Sequence, residues 1–275
     1  MIASRFIRSS LVYILLTILA AVMVYPLIYT YLAVFLTPAE ANTFPPKLIP
    51  SSLYLGNLTG VLKAIPVDRF IINSFVIATI IMIGQVLTGA MAAYAFAYIQ
   101  FRFKAFWFAL FLSTMMIPWE VTIIPNYLTI KKWGWLDTYP GLTVPFLASA
   151  FGVFLLRQFF LQLPRELFEA ARMDGCGHIR HFLSIVLPLS RPALATLSVY
   201  VFLQSWNMYL WPLLITNSDK MRTVQIGISM LQFEEMTVWS IVLAGVALVL
   251  LPSLLLLVLG LKQLVRGITA GAVKG

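Results

Sequence analysis

Several residue types are scarce in this chain, and each scarcity excludes a class of protein. Cysteine occurs once, as Cys176, which excludes an internal disulfide framework. Charged residues make up 11% of the 275 residues, against about 25% in soluble domains. The phosphate-binding pattern GxxxxGK[ST] is absent, so the chain is not expected to hydrolyse a nucleotide through such a loop. What is abundant is apolar sequence: 61% of residues are hydrophobic and the mean hydropathy is +0.92.

Six apolar stretches are each long enough to cross a bilayer, which takes about 20 residues. They are Leu11–Leu36, Ile71–Tyr98, Ala105–Ile124, Tyr139–Phe160, Ala193–Ile215 and Ser240–Leu261. We therefore predict an all-α integral membrane protein with six transmembrane helices, in contact with lipid and without a soluble domain. The predicted parts are a first helix with an extracytoplasmic loop (1–68), a five-helix core (69–262) and a cytoplasmic tail (263–275).

The first apolar stretch follows Arg5 and Arg8, as in a signal peptide. It is longer than the apolar core of a signal peptide, and no small-residue cleavage site follows it, so we expect it to be retained as a helix.

The basic residues predict the orientation. If the N-terminus is cytoplasmic, the inside segments hold 12 of the 19 lysines and arginines and the outside segments hold 7. Three acidic residues lie inside and seven outside, so the net charge of +9 is cytoplasmic. Because basic residues concentrate on the cytoplasmic side of membrane proteins, both termini are expected to be inside, in the cell membrane. This explanation of the basic surplus requires no nucleic acid.

The most specific pattern lies in the polar segment 164–192, between the fourth and fifth apolar stretches. Pro164 to Met173 predict a short amphipathic helix, Gly175 permits a sharp turn, and His178 to Val186 predict a second short helix stopped by Pro188. The pattern itself consists of Glu169, Ala170, Ala171, Asp174, Gly175, Ile185, Leu187 and Pro188. An ordinary cytoplasmic loop is the alternative, but the match extends across every one of these spacings.

This pattern resembles the EAA loop of ABC-importer permeases. Residues from about Asn73 to Gly275 are similar to the carbohydrate-uptake branch, and runs such as LDTYPGLTVPFLASAFGVFLLRQFF and WNMYLWPLLIT are especially similar to its sn-glycerol-3-phosphate permeases. The resemblance implies a type I importer permease fold and no enzymatic activity. It also implies three partners: a second homologous permease, a cytoplasmic ATPase dimer held through the EAA loop, and an extracytoplasmic solute-binding protein. No cofactor or metal is implied.

One face of the fifth apolar stretch is polar and aromatic. Gln204, Asn207 and Trp211 recur at spacings of three and four residues, which would place them on one side of a helix. Amides and indoles suit a hydroxylated solute, so these residues are candidates for the substrate pathway. Interhelical hydrogen bonding and an aromatic belt are an alternative explanation of the same pattern.

Three further alternatives stay open. The solute could be unrelated to carbohydrates, for example a polyamine. His178 and His181, with Asp174 and Glu169 nearby, could form a metal site of a membrane-embedded enzyme, although all four residues already fall within the EAA segment. Glu120 could be an ion site or an interfacial carboxylate near Lys131 or Lys132.

Overall fold

The computed structural model describes residues 2–45, 47–232 and 238–269, and every regular element in these ranges is a helix. The helices are α1 Ile2–Ala33, α2 Pro38–Ala41, α3 Gly56–Ala64, α4 Val67–Tyr98, α5 Lys104–Ser113, α6 Trp119–Lys132, α7 Tyr139–Thr143, α8 Ala150–Phe160, α9 Arg165–Met173, α10 His178–His181, α11 Leu187–Leu189, α12 Arg191–Trp206, α13 Leu210–Ile215, α14 Val224–Gln232 and α15 Trp239–Thr269. The all-α prediction is confirmed.

Three of these helices contain a straight segment that is apolar and long enough to cross a membrane: Ser9–Ala33, Val67–Tyr98 and Trp239–Val258. Three bent pairs supply the other candidate spans among the described residues. Lys104–Met116 and Trp119–Lys132 meet at 93°, Tyr139–Phe146 and Ala150–Phe160 at 47°, and His178–Leu189 and Arg191–Trp206 at 76°. The described residues therefore contain up to six candidate spans, and three of these are broken.

Two prolines lie inside helices and do not end them. Pro125 lies inside α6, and the break in this candidate span comes earlier, at Pro118. Pro188 was expected to stop the second short helix of segment 164–192, but helical backbone continues through Leu189. A π turn at Phe182–Val186 precedes it, which is a common way to absorb the missing N–H and the bulk of a proline ring.

The chain divides into two compact units. One comprises Met1–Asp68 with Gly227–Leu251, and the other Arg69–Ile226 with Pro252–Gly275. In the first unit, the buried Asn57 amide donates to the backbone carbonyls of Val34 at 2.8 Å and Leu36 at 2.7 Å, which fixes α3 to the end of α1. Lys47 and the backbone N–H of Thr37 hold the pKa of the Glu40 carboxyl well below its usual range.

The second unit contains one continuous apolar core, built from α4, α6, α8, α12 and α13. Its largest fully buried side chains include Phe160, Leu197 and Trp211. Asn73 of α4 ties the loop before α14 to this core, because its amide donates to the carbonyls of Lys220 and Arg222, each at 2.9 Å.

The predicted tail differs from the structure. The last helix was expected to end near residue 262, but α15 continues to Thr269. The remainder of the predicted tail, residues 270–275, lies outside the described residues.

Candidate functional sites: the docking loop and the cavity

Residues 164–192 carry the EAA pattern and are called the docking loop, after the role that the resemblance implies. The loop begins with α9, whose polar and apolar faces are clearly separated. Phe168 is partly buried and Ala171 is buried, whereas Glu169 and Ala170 are exposed. The four residues from Phe168 to Ala171 span about one turn, so this helix presents one side to the protein and the other outward.

Gly175 ends α9 in a conformation that favours glycine. Its φ is +70°, in the left-handed region, and a Cβ built there would meet no atom within 4 Å. The N–H of Cys176 donates to the carbonyl of Ala171 at 2.9 Å. This is the bond of a Schellman cap that joins the residue after the glycine to a residue in the last turn of the helix. Glycine is favoured here because of the positive φ, and not because a larger side chain would clash with neighbouring atoms.

The remaining members of the EAA pattern also include both exposed and partly buried residues. Asp174 and Pro188 are exposed, while Ile185 and Leu187 are partly buried, and Leu187 packs on the apolar core. Five of the eight pattern residues are thus exposed, and the other three face the protein to different degrees.

An aromatic cluster fastens the docking loop to the C-terminal end of α4. The Phe168 ring lies 4.5 Å from the ring of Tyr98 and 4.7 Å from that of His181, measured between centroids. The Tyr94 ring lies 5.1 Å from that of Phe182. Tyr98 also donates a hydrogen bond to the backbone carbonyl of Phe160, at the end of α8.

The two histidines take part in this cluster. Nδ1 of His181 lies 2.9 Å from the Tyr94 hydroxyl, and Nδ1 of His178 lies 3.2 Å from the same oxygen. Among the described residues, no group of three or more histidine, cysteine or acidic side chains is arranged to hold a metal ion. The sequence did not single out Tyr94, Tyr98 or Phe168. The available signal was the apolar face of α9, on which Phe168 and Ala171 are three residues apart.

A second feature is a cavity of about 900 Å³ inside the second unit. Parts of α4, α6, α12 and the segment before α8 line it, together with residues 207–210 between α12 and α13. Gln204 and Asn207 both line the cavity, as do Gln85 and Glu120, which the prediction of the pathway did not include. Gln85 had a usable signal, since it is a polar residue in the middle of an apolar span.

The predicted single face of Gln204, Asn207 and Trp211 is not continuous. Helix α12 ends at Trp206, and Trp211 lies in the separate helix α13. Trp211 is fully buried, is not among the residues lining the cavity, and donates its indole N–H to the carbonyl of Gly141 at 3.1 Å. Its ring lies 5.9 Å from that of Phe146, which lines the cavity, so Trp211 packs behind the lining.

Asn207 is the C-cap residue of α12. Its backbone N–H and its side-chain Nδ2 both donate to the carbonyl of Leu203, at 3.1 Å and 2.8 Å, so the side chain caps the last turn. Its Oδ1 accepts a hydrogen bond from Gln225 of α14 at 3.2 Å. Pro212 follows five residues later and could not donate a helical hydrogen bond to Met208.

Glu120 is not beside the lysines that sequence reasoning placed near it. It lies in the first turn of α6, whereas Lys131 and Lys132 lie in the last turn. Eleven residues of helix separate Glu120 from Lys131, which is about 16 Å along the axis. The interfacial pairing predicted for Glu120 is wrong, and the carboxylate lies at the cavity instead.

Comparison with known proteins identifies the family. The family model for the inner membrane component of binding-protein-dependent transport systems matches residues 85–266, which include both the docking loop and the cavity segment 204–210. The chain belongs to this family. It is a multi-pass permease subunit of the cell membrane, and it is not an enzyme.

Relatives match nearly the whole chain. The sn-glycerol-3-phosphate transport system permease protein UgpE of Agrobacterium fabrum is 38% identical over 277 residues, covering 98% of each chain. UgpE of Yersinia pestis bv. Antiqua is 38% identical over 264 residues, covering 93% of this chain and 94% of its own. UgpE of Rhizobium meliloti is 35% identical, again with 98% of each chain covered.

A solved structure shares the fold. A bacterial ABC transporter involved in the import of the acidic polysaccharide alginate superposes with a TM-score of 0.82, covering 94% of this chain and 97% of that one at 22% sequence identity. The predicted type I importer permease fold is confirmed.

Proposed function

We propose that this permease forms half of a solute pathway, paired with a second homologous permease, and imports a sugar or an sn-glycerol-3-phosphate-like polyol. Support for the solute class comes from the UgpE relatives, whose names specify sn-glycerol-3-phosphate and which match nearly the full chain. An extracytoplasmic binding protein delivers the solute, and a cytoplasmic ATPase dimer drives its passage.

The docking loop is the proposed contact with the ATPase. Its outward surface combines the Glu169 carboxylate with apolar side chains that are strongly exposed: Met173 at 89% and Ile179 at 77%. Met173 lies outside every candidate membrane span of the described residues, so lipid does not account for its exposure. An exposed apolar side chain on the helix that carries Glu169 is available to a partner surface.

The single observation that carries the coupling proposal is the attachment of this surface to the membrane helices. The exposed residues Glu169 and Ala170 are adjacent in sequence to Phe168, which packs on Tyr98 of α4. A displacement of the docking loop by the ATPase would therefore be transmitted to α4 through ring contacts rather than lost in a flexible linker. Packed elements of this kind move as rigid bodies.

The cavity is the proposed contribution of this subunit to the pathway. Gln204 and Asn207 line it and offer amide groups to hydroxyls, while Trp211 holds the wall in place by its bond to Gly141. In the assembled pair of permeases, alternating access would expose this cavity first to one side of the membrane and then to the other.

The docking proposal is tested with two neighbouring carboxylates of α9. Glu169 belongs to the EAA pattern and Glu166 does not, although both are exposed on the same helix. A charge-assisted hydrogen bond to the ATPase is worth about 1.5–3 kcal/mol. Glu169→Ala is therefore expected to abolish solute-stimulated ATP hydrolysis and uptake in the reconstituted complex, while membrane insertion stays normal.

Glu166→Ala is the matched control, and it removes the same charge one turn away. It should retain most of the uptake. Equal activity of both variants and the wild type would refute the docking assignment, and equal loss in both would point to net charge rather than to a specific contact.

A further inference from the structure

The cavity contains one charged side chain. Among the described residues that line it, Glu120 is the only acidic one, and no lysine or arginine is present. Glu120 is exposed, and it forms neither of the two ion pairs found in the described part of the chain, which join Lys47 to Glu40 and Arg222 to Asp219.

The amides around the cavity differ in what they can offer a solute. Gln85 donates to the carbonyl of Phe146 at 2.8 Å. Asn207 is engaged at both ends, by Leu203 and by Gln225. Gln204 is exposed, and no hydrogen bond of its side chain is found within the described residues. Among the carboxylate and amide groups of the lining, Glu120 and Gln204 are therefore the ones that could bind a solute without first breaking a hydrogen bond found within the described residues.

The Glu120 carboxylate prefers hydrogen-bond donors to anionic groups. A carboxylate only accepts hydrogen bonds, and hydroxyl groups donate them. A carboxylate facing a phosphate or a second carboxylate is repelled, and the repulsion is strong where water is partly excluded. With no cation in the lining, nothing in this wall compensates for a negative charge on the solute.

We infer that Glu120 is a specificity-determining residue. On this subunit's wall of the pathway, its carboxylate accepts hydrogen bonds from hydroxyl groups of the solute and repels anionic groups. The uncharged, polyhydroxylated part of the solute lies against Glu120 and Gln204. Any phosphate or carboxylate on the solute has to be received elsewhere in the complex. This inference rests on the proposed role of the cavity in the pathway, but it is independent of the docking loop.

The first experiment measures the electrostatic potential of the cavity directly. Cys176, the only cysteine, is replaced by serine, and Gln204→Cys provides a single reporter in the full complex. The reaction rates of a cationic and an anionic methanethiosulfonate of similar size are compared with Glu120 present and with Glu120→Gln. We expect Glu120→Gln to lower the cationic-to-anionic rate ratio about fivefold.

Lys131→Gln is the control for the labelling. It also changes one charge on α6, but at the opposite end of the helix, and it should leave the ratio within about twofold of the starting value. A ratio that Glu120→Gln does not change would overturn the inference. So would a reporter that neither reagent labels, because the cavity would then be closed to solutes.

The second experiment measures uptake by the full complex in proteoliposomes, with maltose, sn-glycerol-3-phosphate and spermidine as probes. For an imported hydroxylated probe, Glu120→Gln should raise the half-saturating concentration at least tenfold, whereas the control Lys131→Gln, at the other end of α6, should leave it within about twofold of the wild-type value. An unchanged half-saturating concentration, or import of spermidine in preference to both hydroxylated probes, would overturn the inference. Normal coupling in Glu169→Ala would instead refute the docking proposal, so the two failures are distinguishable.

Discussion

The ring of Phe168 in the docking loop packs against the ring of Tyr98 at the end of α4, with 4.5 Å between their centroids. This contact joins the first docking helix to a membrane span, and Tyr98 is in turn bonded to the end of α8. Movement of the docking loop should therefore displace both α4 and α8.

Phe168→Ala is expected to uncouple the transporter. An aromatic pair contributes about 0.5–1.5 kcal/mol beyond the area it buries, so its loss would loosen the attachment without unfolding the core. Uptake should fall more than tenfold, and ATP hydrolysis should no longer respond to solute. Phe168→Tyr keeps the ring and is expected to retain coupling. Wild-type uptake in Phe168→Ala would show that force does not pass through this contact.

Gly175 and Gly177 form a matched pair for testing backbone conformation. A Cβ meets nothing within 4 Å at either position, but φ is +70° at Gly175 and −73° at Gly177. Gly175→Ala should cost about 1–2 kcal/mol locally, because L-residues are strained in the left-handed region. Gly177→Ala should cost much less. Coupling efficiency and proteolytic sensitivity of the loop are the measurements, and similar behaviour of the two variants would contradict this explanation.

The orientation predicted from basic residues can be tested through Cys176. An impermeant thiol reagent applied to intact cells should not label it, since the docking loop is expected to face the cytoplasm. Ser52→Cys, in the predicted extracytoplasmic loop, should be labelled. Labelling of Cys176 from outside would reverse the orientation and remove the docking proposal with it.

Trp211 and Asn207 are expected to differ in what their substitution affects. Trp211→Phe leaves the buried carbonyl of Gly141 without its 3.1 Å partner, which should cost about 1–3 kcal/mol of stability. Asn207→Ala removes an exposed cap at the cavity, so it should lower uptake about five- to hundredfold with a smaller change in melting temperature. Melting and uptake measured on both variants check this, and normal uptake in Asn207→Ala would remove Asn207 from the pathway.

Composition predicted the class of this protein and a number of spans that agrees with the up to six candidates among the described residues, because apolar length is a direct requirement of the bilayer. The spacing of Glu169, Gly175 and Pro188 was sufficient to suggest the family. The left-handed turn at Gly175 was also predictable, because glycine after an amphipathic helix is the usual cap.

The bends were not predictable from hydropathy. Hydropathy does not distinguish a straight span from two helices meeting at 93° or 76°. Proline is an ambiguous signal: Pro125 lies within a helix, while Pro118 precedes one. The face of Gln204, Asn207 and Trp211 assumed that one helix continued through residue 211, but α12 ends at Trp206 and α13 begins at Leu210.

The hydroxyl of Tyr94 has consequences for the chemistry of the two docking-loop histidines. A phenol carries one proton, so it can donate to at most one of the two Nδ1 atoms within 3.2 Å, and at least one contact requires an Nδ1–H that donates to the phenol oxygen. At least one of His178 and His181 therefore carries a proton on Nδ1. The shared phenol restricts the protonation of the two imidazoles as a pair, which their positions in the sequence do not reveal.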